Sequence, residues 1–376
     1  MGKTPTRSDL SYWQNGSYDW ISISDLNTDR KYISDTKERI TTKAVRESGI
    51  KKIPANTVIM SFKLSIGKTA ITSHDMFSNE AIMAFIDRKV IRINPDYIYY
   101  LLHALDWNKR ANKAVKGRTV NKKIISQTQV NIPDYQTQLR IVKIMDSTRK
   151  RVKIQKDILS KLDTLIKARF VEMFGNYPNN EKSWPVGKIK DLVLDVRYGT
   201  SKKATDGTSG KYPYLRMNNI TYDGNLNLSD LKTIDLPLED LEKYTVQKGD
   251  LLFNRTNSRD LVGKTCVYDL DKTMVLAGFI IRVRLDTTVA NPVFVSKFLN
   301  TGYSKLLLRT ICKNASGQSN INAKEMQNIK IYVPPISLQN EFANFVQQVD
   351  KSKVAVQKSL EETQTLFDSL MQKYFS

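Results

Sequence analysis

The chain repeats itself along its length. When the second half is laid over the first, residues 120–174 align with residues 321–375 without a gap, and the apolar positions recur at the same spacing. Identical residues meet at several aligned positions: Asn121 and Asn322, Lys123 and Lys324, Pro133 and Pro334, and Gln138 and Gln339. A repeat of this length predicts two similar structural units within one chain.

The repeat continues, with more divergence, into the segments that precede these two. Residues 19–26 resemble 212–219, 53–60 resemble 246–253 and 95–102 resemble 292–299, and each copy holds a Gly-Lys-Thr triplet, at 67–69 and 263–265. The predicted order is a globular domain, a long helix, a second globular domain and a second long helix. We place the boundaries at residues 1–120, 121–178, 179–320 and 321–376.

The long helical segments give the clearest local signal. Residues 136–174 contain no Pro and no Gly, and apolar residues recur in alternating steps of four and three, which is the heptad seam of a coiled coil. Polar residues interrupt the first seam, so pairing of the two helices with each other inside one chain is favoured over a long homodimer. The predicted seam consists of Met145, Val152, Leu159, Leu162 and Ile166 in the first helix and Val346, Val349, Val356, Leu360, Phe367 and Leu370 in the second.

Each globular half has a mixed pattern. Short apolar runs at 58–62 and 277–283 are typical of strands, and the segments after Pro95 and Pro292 are typical of helices. The predicted fold class is therefore α+β: two domains, each a twisted mixed sheet with helices, separated by two long helices that form an intramolecular antiparallel coiled coil with pseudo-twofold symmetry.

The sign of the charge narrows the possible partners. Lys and Arg total 59 against 38 Asp and Glu, a formal net charge of +21. Nucleic acid is the commonest partner of such a surface, although a ribosome-associated or merely basic protein has the same composition. The two cysteines and two histidines favour neither a disulfide framework nor a metal site, and we expect a cytoplasmic protein without a membrane span.

The sequence provides no pattern for catalysis. Each Gly-Lys-Thr triplet lacks the upstream glycine of a P-loop, because Phe62 and Ser258 stand there. The triplets are instead interpreted as turns between strands or as basic turns that approach a phosphate. We find no glycine-rich loop for a methyl donor and no nuclease arrangement of carboxylates. We therefore predict a non-catalytic chain that holds no metal and no cofactor.

Polar and basic residues cluster at equivalent loops of the two copies. Arg can read guanine edges, Asn and Gln adenine edges, and Lys or Ser can hold phosphates, although any single residue of this kind is more often part of a solvated loop. Trp20 is expected in a core, and Tyr12 and Trp13 could support these loops or stack on a base. The predicted DNA-binding residues are Lys3, Thr4, Arg7, Ser22, Ser24, Lys63, Lys68, Lys116 and Arg118 in the first copy, and Arg197, Tyr198, Lys202, Lys203, Arg216, Asn218, Asn219, Arg255, Asn257, Arg259, Lys264, Lys313 and Gln318 in the second.

With these motifs the chain resembles the specificity subunits of type I restriction-modification systems, over nearly its whole length. The resemblance rests on residues 2–5 and 19–26 in the first half, on 248–252 and 262–265 in the second, and on the proline-then-glutamine entries at 133–138 and 334–339. One departure concerns the opening strand of a target-recognition domain. Residues 184–192 supply it ahead of the second domain, whereas the first domain starts directly at Gly2, so a truncation or another segment is expected to account for the difference.

The resemblance implies a division of labour. Two target-recognition domains would each read one half of an asymmetric, bipartite target in double-stranded DNA, and the helices would set the unread spacer. Two methyltransferase subunits would bind this scaffold and carry S-adenosylmethionine, and restriction subunits would translocate and cleave. Two alternatives stay open on the residues alone: a DNA-modifying enzyme with an unrecognised catalytic site, and a coiled-coil adaptor that binds only proteins.

Overall fold

The chain divides into two compact units. A computed structural model describes residues 1–27, 30–63, 65–107, 112–114, 117–119, 122–205, 210–315 and 317–375. The first unit comprises Met1–Lys156 and Gln357–Ser376, and the second comprises Asp157–Val356. The division passes through both long helices, so each unit combines one globular part with a portion of each helix. No helix among the described residues is long and apolar enough to cross a membrane.

The first unit is a mixed α+β domain. Its elements in chain order are β1 (Tyr18–Ile21), β2 (Tyr32–Ile33), β3 (Glu38–Ile40), α1 (Thr42–Glu47), β4 (Val58–Ser61), β5 (Thr69–Thr72), β6 (Phe77–Ser78), β7 (Ile82–Phe85), α2 (Pro95–Ala104), β8 (Asn112–Ala114), β9 (Gly117–Thr119), α3 (Lys122–Gln127) and the first part of the long helix α4 (Tyr135–Phe174).

Two sheets and a hairpin organise these strands. The larger sheet has the order β2-β5-β4-β7, the smaller has the order β3-β1-β6, and β8 pairs with β9. Strands β4 and β5 are buried at every position, because α2 covers one face and the smaller core around Ile21 covers the other. Parallel pairs, β1 with β6 and β2 with β5, make both sheets mixed, as predicted.

The second unit repeats this plan with additions. Its elements after α4 are β10 (Val186–Lys188), β11 (Val193–Tyr198), β12 (Tyr212–Leu215), β13 (Lys232–Ile234), α5 (Leu238–Tyr244), β14 (Thr245–Val246), β15 (Leu251–Asn254), β16 (Thr256–Asn257), β17 (Thr265–Val267), β18 (Met274–Leu276), β19 (Ile280–Leu285), α6 (Pro292–Leu299), α7 (Gly302–Ile311), β20 (Lys313–Ala315), β21 (Gln318–Asn320), α8 (Ala323–Gln327), β22 (Lys330–Tyr332) and the long helix α9 (Ile336–Phe375).

Four sheets order the strands of the second unit. The central sheet is β11-β19-β15-β17, and a second four-stranded sheet is β13-β12-β18-β14. A small three-stranded sheet, the ribbon, has the order β16-β21-β20. Strand β10 pairs with β22. The central sheet packs on α6 and on the long helices through a large apolar core that includes Phe294 and Phe342.

The two long helices pack against each other within each unit. In the first unit, the early part of α4 at Met145 shares a core with the late part of α9 at Phe375. In the second unit, the late part of α4 at Phe170 packs on the early part of α9 at Phe342, with ring centroids 5.4 Å apart. This pairing is antiparallel, and every predicted seam residue is buried or partly buried, so the predicted coiled coil is confirmed.

Polar contacts fill the places where the seam is not apolar. Gln155 donates to the Ser359 hydroxyl over 2.8 Å in the first unit, and the Lys353 ammonium lies 2.6 Å from the Asp163 carboxylate in the second. These interruptions leave the middle of each helix only half-buried, which is consistent with the weak seam of the sequence.

A buried glutamine fixes the start of each long helix. Gln138 and Gln339 are 1% and 0% exposed. Each side-chain carbonyl accepts the backbone N–H of the asparagine that caps the preceding helix, over 2.8 Å from Asn94 and 2.9 Å from Asn291. Each side-chain amide donates to two backbone carbonyls. The proline-then-glutamine pattern is therefore a structural joint between the two helices of each copy.

Candidate nucleic-acid interface

The clearest cluster of candidate DNA-contacting side chains lies on the ribbon of the second unit. The Arg255 guanidinium stacks over the Tyr198 ring at 4.8 Å and donates to the Asn320 side-chain carbonyl over 3.1 Å. Tyr198 comes from the end of β11, and its hydroxyl accepts the backbone N–H of Ala323 over 2.9 Å. Two segments that are distant from Arg255 in sequence, one at Tyr198 and one at 320–323, thus fix this arginine.

Cross-strand register places further polar residues beside Arg255. Asn320 lies opposite Thr256 on one side and opposite Lys313 on the other. Gln318 is exposed at the turn of the β20-β21 hairpin. A planar guanidinium that is already oriented by stacking loses little freedom when it binds, and it presents two parallel donors to a guanine edge or a phosphate. The ribbon therefore has the chemistry of a DNA-contacting surface.

Several other predicted residues of the second unit are exposed beside acidic partners. Lys313 lies 2.6 Å from Glu325, Lys202 lies 3.4 Å from Asp240 and Arg197 lies 3.3 Å from Asp195. Surface pairs of this kind are weak, so their cations can exchange a carboxylate for a phosphate at small cost. The remaining exposed predicted residues of this unit are Lys203, Asn218 and Arg259.

Arg216 has a mainly structural position. Its guanidinium donates to the Asp230 carboxylate over 2.8 Å and to the Asp230 backbone carbonyl over 3.1 Å. About a quarter of the side chain is exposed, 26%. A contact with DNA at Arg216 therefore competes with the loop that this residue already holds.

Three of the predicted DNA-binding residues, Asn219, Asn257 and Lys264, are buried and hydrogen-bonded within the fold. Asn219 is 1% exposed and donates to the backbone carbonyls of Asn227 and Asp230. The Asn257 amide donates to the side chain of Asn254 inside the sheet. Clustering in sequence could not distinguish these residues from exposed neighbours, because an asparagine that caps a turn and one that reads a base occupy the same kind of loop.

Lys264 is the third of these residues. It is 8% exposed, and its ammonium donates to the backbone carbonyls of Met217 and Ile220 over 3.0 Å and 2.5 Å. Burial lowers its pKa below the ordinary value. The ammonium is therefore committed to holding the turn at 217–219 and does not reach a phosphate.

The Gly-Lys-Thr triplets form the same turn in both units. Gly67 and Gly263 have positive φ values of 87° and 82°. In each copy the threonine hydroxyl donates to the glycine carbonyl over 2.9 Å. The Lys68 ammonium contacts the side chain of Asn27, and the Lys264 ammonium contacts the backbone carbonyls of Met217 and Ile220. The interpretation as a turn between strands is confirmed.

The first unit carries a different cluster. Arg7 forms a two-pronged ion pair with Glu38, and its guanidinium stacks over Trp13 at 4.0 Å and over Trp20 at 4.8 Å. The Trp20 indole N–H donates to the Lys3 carbonyl over 3.2 Å, and Trp20 is 1% exposed, so its predicted core position is confirmed. Arg7 therefore stabilises the N-terminal loop through Glu38 and the two tryptophans. The exposed Lys3 is the better candidate for a phosphate contact.

The other predicted residues of the first unit lie in polar turns. Ser22 accepts and donates within a turn closed by Asp25 and Ser24. The Thr4 hydroxyl contacts Glu80, and the Lys63 ammonium lies 5.6 Å from the Phe62 ring. Lys116 lies outside the described residues, and Arg118 lies in β9, which pairs with β8 as β21 pairs with β20. Within the described ranges, no group of three or more His, Cys, Asp and Glu could hold a metal ion.

Asn320 was missed as a candidate although its neighbours Lys313 and Gln318 were predicted. The signal was present in the repeat, since the β8-β9 and β20-β21 hairpins align, but the contact with Arg255 depends on cross-strand pairing that the sequence does not reveal. Two units built on the same plan, with polar and basic side chains in their loops, define a class of protein: a duplicated nucleic-acid-binding module.

Comparison with known proteins identifies the class. The family model of the type I restriction modification DNA specificity domain matches residues 1–164 and 181–363, so the chain belongs to this family. In this family the specificity subunits are non-catalytic, and the catalytic activities are in separate subunits. This confirms the resemblance and the non-catalytic role that the sequence predicted.

Individual relatives are more distant. The putative type I restriction enzyme MjaX specificity subunit of Methanocaldococcus jannaschii is 27% identical over 52% of this chain and 46% of its own length. The MjaIX specificity subunit of the same organism is 22% identical over 99% of this chain and 89% of its own. The EcoKI specificity subunit of Escherichia coli is 24% identical over 61% and 52%. The matches therefore span about half the length of two of these relatives.

Solved structures show the same fold. The S subunit of a type I restriction-modification system from M. genitalium matches with a TM-score of 0.57 at 13% identity, over 100% of this chain and 92% of that one. A chain from a structure of the assembly and conformational transition of the type I R-M system matches with a TM-score of 0.60 at 17% identity, over 100% and 94%. At these identities the likeness supports the α+β fold with two recognition domains.

Proposed function

We propose that this chain reads an asymmetric, bipartite DNA target and scaffolds the modification and restriction subunits that act on it. The observation that carries the proposal is the duplication of a DNA specificity domain whose two copies keep the same framework but present different side chains. One chain then reads two unlike half-sites.

The two candidate surfaces support unlike half-sites. The second unit presents Arg255 on its ribbon, where a guanidinium is suited to a guanine edge, and the Asn320 amide is held between Arg255 and Thr256. In the first unit the aligned strands are Asn112–Ala114 and Gly117–Thr119, and Arg7 is held by Glu38. Because the side chains at equivalent strands differ, the bases that they select should differ as well.

Charge supplies the part of the affinity that does not depend on sequence. A net charge of +21 favours phosphate contacts, and each phosphate that a cation neutralises releases counterions. We expect binding to weaken steeply as salt rises, by about 0.9 log units of affinity per log unit of salt for each phosphate contacted. Salt dependence is shared by any basic protein that binds duplex DNA non-specifically, so the preference for one duplex sequence over others is what separates a sequence reader from a basic adaptor.

The catalytic steps of methylation and restriction are proposed to take place in the partner subunits. Two methyltransferase subunits would bind this chain, carry S-adenosylmethionine and methylate adenine, and restriction subunits would join them. This chain would contribute the position on the DNA, since the Arg255 guanidinium and its neighbours can bind and orient a base edge but offer no group for methyl transfer.

Methylation mapping tests the proposal. The complex of this chain with its methyltransferase subunits is compared with a complex in which residues 1–120 are replaced by the aligned part of another specificity subunit. We expect one half of the methylated motif to change and the other half to stay. Replacing residues 179–320 is the matched control and should change the other half. A motif that changes in both halves, or in neither, would refute separate reading by the two units.

A further inference from the structure

A phenylalanine is exposed at the end of the central sheet of the second unit. Phe279 lies in the turn between β18 and β19 and is 44% exposed, whereas Ala277 and Ile280 on either side of the turn are buried. A single exposed phenylalanine is common on protein surfaces. Its backbone contacts and its neighbours therefore decide whether this one has a function.

Hydrogen bonds on both sides fix the backbone of this turn. The Phe279 carbonyl accepts the backbone N–H of Arg255 over 2.9 Å and the side-chain amide of the buried Asn254 over 3.1 Å. The preceding Gly278 donates its N–H over 2.7 Å to the carbonyl of Thr200, which follows β11. A side chain on so fixed a backbone loses little conformational freedom when it makes a contact.

Strand register places Phe279 next to Arg255. Asn254 lies opposite Ile280 in the pairing of β15 with β19, so Arg255 and Phe279 are the next opposite pair. Opposite residues of an antiparallel pair project from the same face, with Cβ atoms about 4.5–5.5 Å apart. The strand order is β11-β19-β15, and the Arg255 guanidinium lies 4.8 Å from the ring centroid of Tyr198 in β11. The arginine side chain therefore crosses the end of β19, where Phe279 lies.

The equivalent positions of the first unit carry buried residues. Phe62 donates its backbone N–H to the Ala81 carbonyl over 3.0 Å, as Arg255 does to Phe279, so the two pairs are equivalent. Phe62 is 2% exposed and Ala81 is 6% exposed. The shared framework therefore does not require an exposed aromatic residue at this turn. The combination of a cation on the strand and an exposed ring on the turn belongs to the second unit.

An arginine fork beside an exposed aromatic ring matches two features of the major groove of DNA. Guanine presents the O6 and N7 acceptors there, and thymine presents its C5 methyl group in the same groove. A guanidinium suits the guanine edge, and a phenylalanine ring suits the methyl group. The phosphate backbone offers no such apolar feature, so a contact through this ring contributes to the selection of a sequence.

We propose that Phe279 is a specificity-determining residue that contacts the C5 methyl group of a thymine, in the base pair next to the one that Arg255 contacts. This assignment rests on the proposed function, in which the second unit reads one half-site. It adds the class of base that the half-site contains: an A·T pair directly beside a G·C pair. The ring and the methyl group would both be removed from water, and no new hydrogen bond would form.

Uracil substitution in the duplex tests this assignment. The complex of this chain with its methyltransferase subunits is titrated with the duplex found by methylation mapping. Each thymine of the half-site assigned to residues 179–320 is replaced in turn by uracil, which keeps the base pair and removes only the methyl group. We expect one uracil position to weaken binding of the wild type about 4-fold, the effect of one buried methyl-sized group.

Variants of the chain connect that effect to the ring. Phe279→Ala should bind the thymine duplex about 10-fold more weakly and should bind the thymine and uracil duplexes equally well. Phe279→Leu keeps an apolar side chain and should retain a smaller uracil effect, about 2-fold. Leu238→Ala is the matched control, because Leu238 is 74% exposed on α5 and should change neither value. Hydrogen exchange of the amides of 280–285 should stay unchanged in all three variants.

Several outcomes would overturn the role of Phe279. They are a half-site without a thymine, a wild type that prefers its target but tolerates every uracil in this half-site, and a Phe279→Ala variant that keeps the full uracil effect. A Phe279→Ala variant that binds DNA normally but assembles poorly with the methyltransferase subunits would assign the ring to a protein contact instead. A wild type that binds its target no better than a scrambled duplex would refute the proposed function itself, so the two failures are distinguishable.

Discussion

The two units share their internal joints and differ at their surfaces. The positive-φ glycine of each Gly-Lys-Thr turn, the buried glutamine at the entry to each long helix and the asparagine cap of the preceding helix recur with the same hydrogen bonds. The side chains in the loops and on the aligned hairpins β8-β9 and β20-β21 differ between the units. Backbone groups inside the fold need the same partners in both copies, whereas exposed side chains are free to diverge.

The largest expected contrast lies in the packing of the long helices. Phe174 and Phe375 are aligned in the repeat. Phe174 is 0% exposed and packs among Phe170, Phe294 and Phe342. Phe375 is 7% exposed and packs beside Tyr97. We expect Phe174→Ala to lower the free energy of unfolding of the second unit by about 3–5 kcal/mol, and Phe375→Ala to cost the first unit less.

Denaturant unfolding with a probe in each unit measures this contrast. Leu366→Ala is the control, because Leu366 is 51% exposed and its truncation should change stability by less than about 0.5 kcal/mol. Equal losses for the two phenylalanines would show that the aromatic cluster gives the second unit no advantage.

A second pair of aligned substitutions should destabilise the two units equally. Gln138→Met and Gln339→Met each remove the same set of hydrogen bonds and leave a buried N–H of Asn94 or Asn291 without its acceptor. Each substitution should cost about 2–3 kcal/mol, similar in both units, because an unsatisfied buried group carries its full desolvation penalty. The same unfolding experiment checks this, and a loss confined to one unit would contradict a shared joint.

The surfaces should differ in DNA binding. Arg255→Ala should weaken binding to the specific duplex about 10-fold or more, the range of one good base contact. Arg7→Ala should mainly destabilise the first unit, because Arg7 is paired with Glu38. Titration of labelled duplexes at fixed salt measures both affinities.

Arg255→Lys is the matched control for charge. It keeps the cation but loses the planar fork, so the salt dependence should stay while discrimination between target and mutated duplexes falls. If Arg255→Ala leaves affinity unchanged while Arg7→Ala abolishes it without unfolding the first unit, the assignment of the two surfaces is reversed.

The smallest expected contrast is the pH dependence that Asp195 and Arg282 contribute to the stability of the second unit. Burial acts to raise the pKa of Asp195, but the hydrogen bond from Arg282 and the charges of Arg197 and Arg282 lower it below the ordinary value of 3.8. A carboxylate with a lowered pKa stabilises the folded state above the unfolded-state pKa, and this contribution is lost as the pH falls through the folded-state pKa. The first unit has Ala84 in place of Arg282.

Unfolding at a series of pH values from about 5 downwards checks this dependence, since the unfolded-state pKa of Asp is about 3.9. The stability difference between the wild type and Arg282→Met should shrink as the pH falls below 3.8. A difference that stays constant with pH would show that Arg282 acts through packing alone.

Periodicity and repetition predicted the architecture. The absence of Pro and Gly from residues 136–174 and the heptad spacing were enough to predict one long helix per copy and their antiparallel pairing. The strand at 58–62 and the helix after Pro95 were also confirmed. These features depend on local propensity and on apolar spacing, which the sequence contains directly.

The candidate site stays a prediction. Lys264, Asn219 and Asn257 were expected at the surface and are buried, and the contact between Arg255 and Asn320 was not predicted. Sequence clustering places residues in the same loop but does not determine which side chain turns inward to cap a turn. That choice depends on which backbone carbonyls lie within reach after the strands pair.

The sequence by itself determined the duplication, the helix pair and the excess of positive charge, because repetition, spacing and composition are properties of the chain. Only the tertiary structure decided which polar residues face solvent. This depends on long-range strand pairing, because Arg255 is oriented by Tyr198 and Asn320, which come from segments distant in sequence.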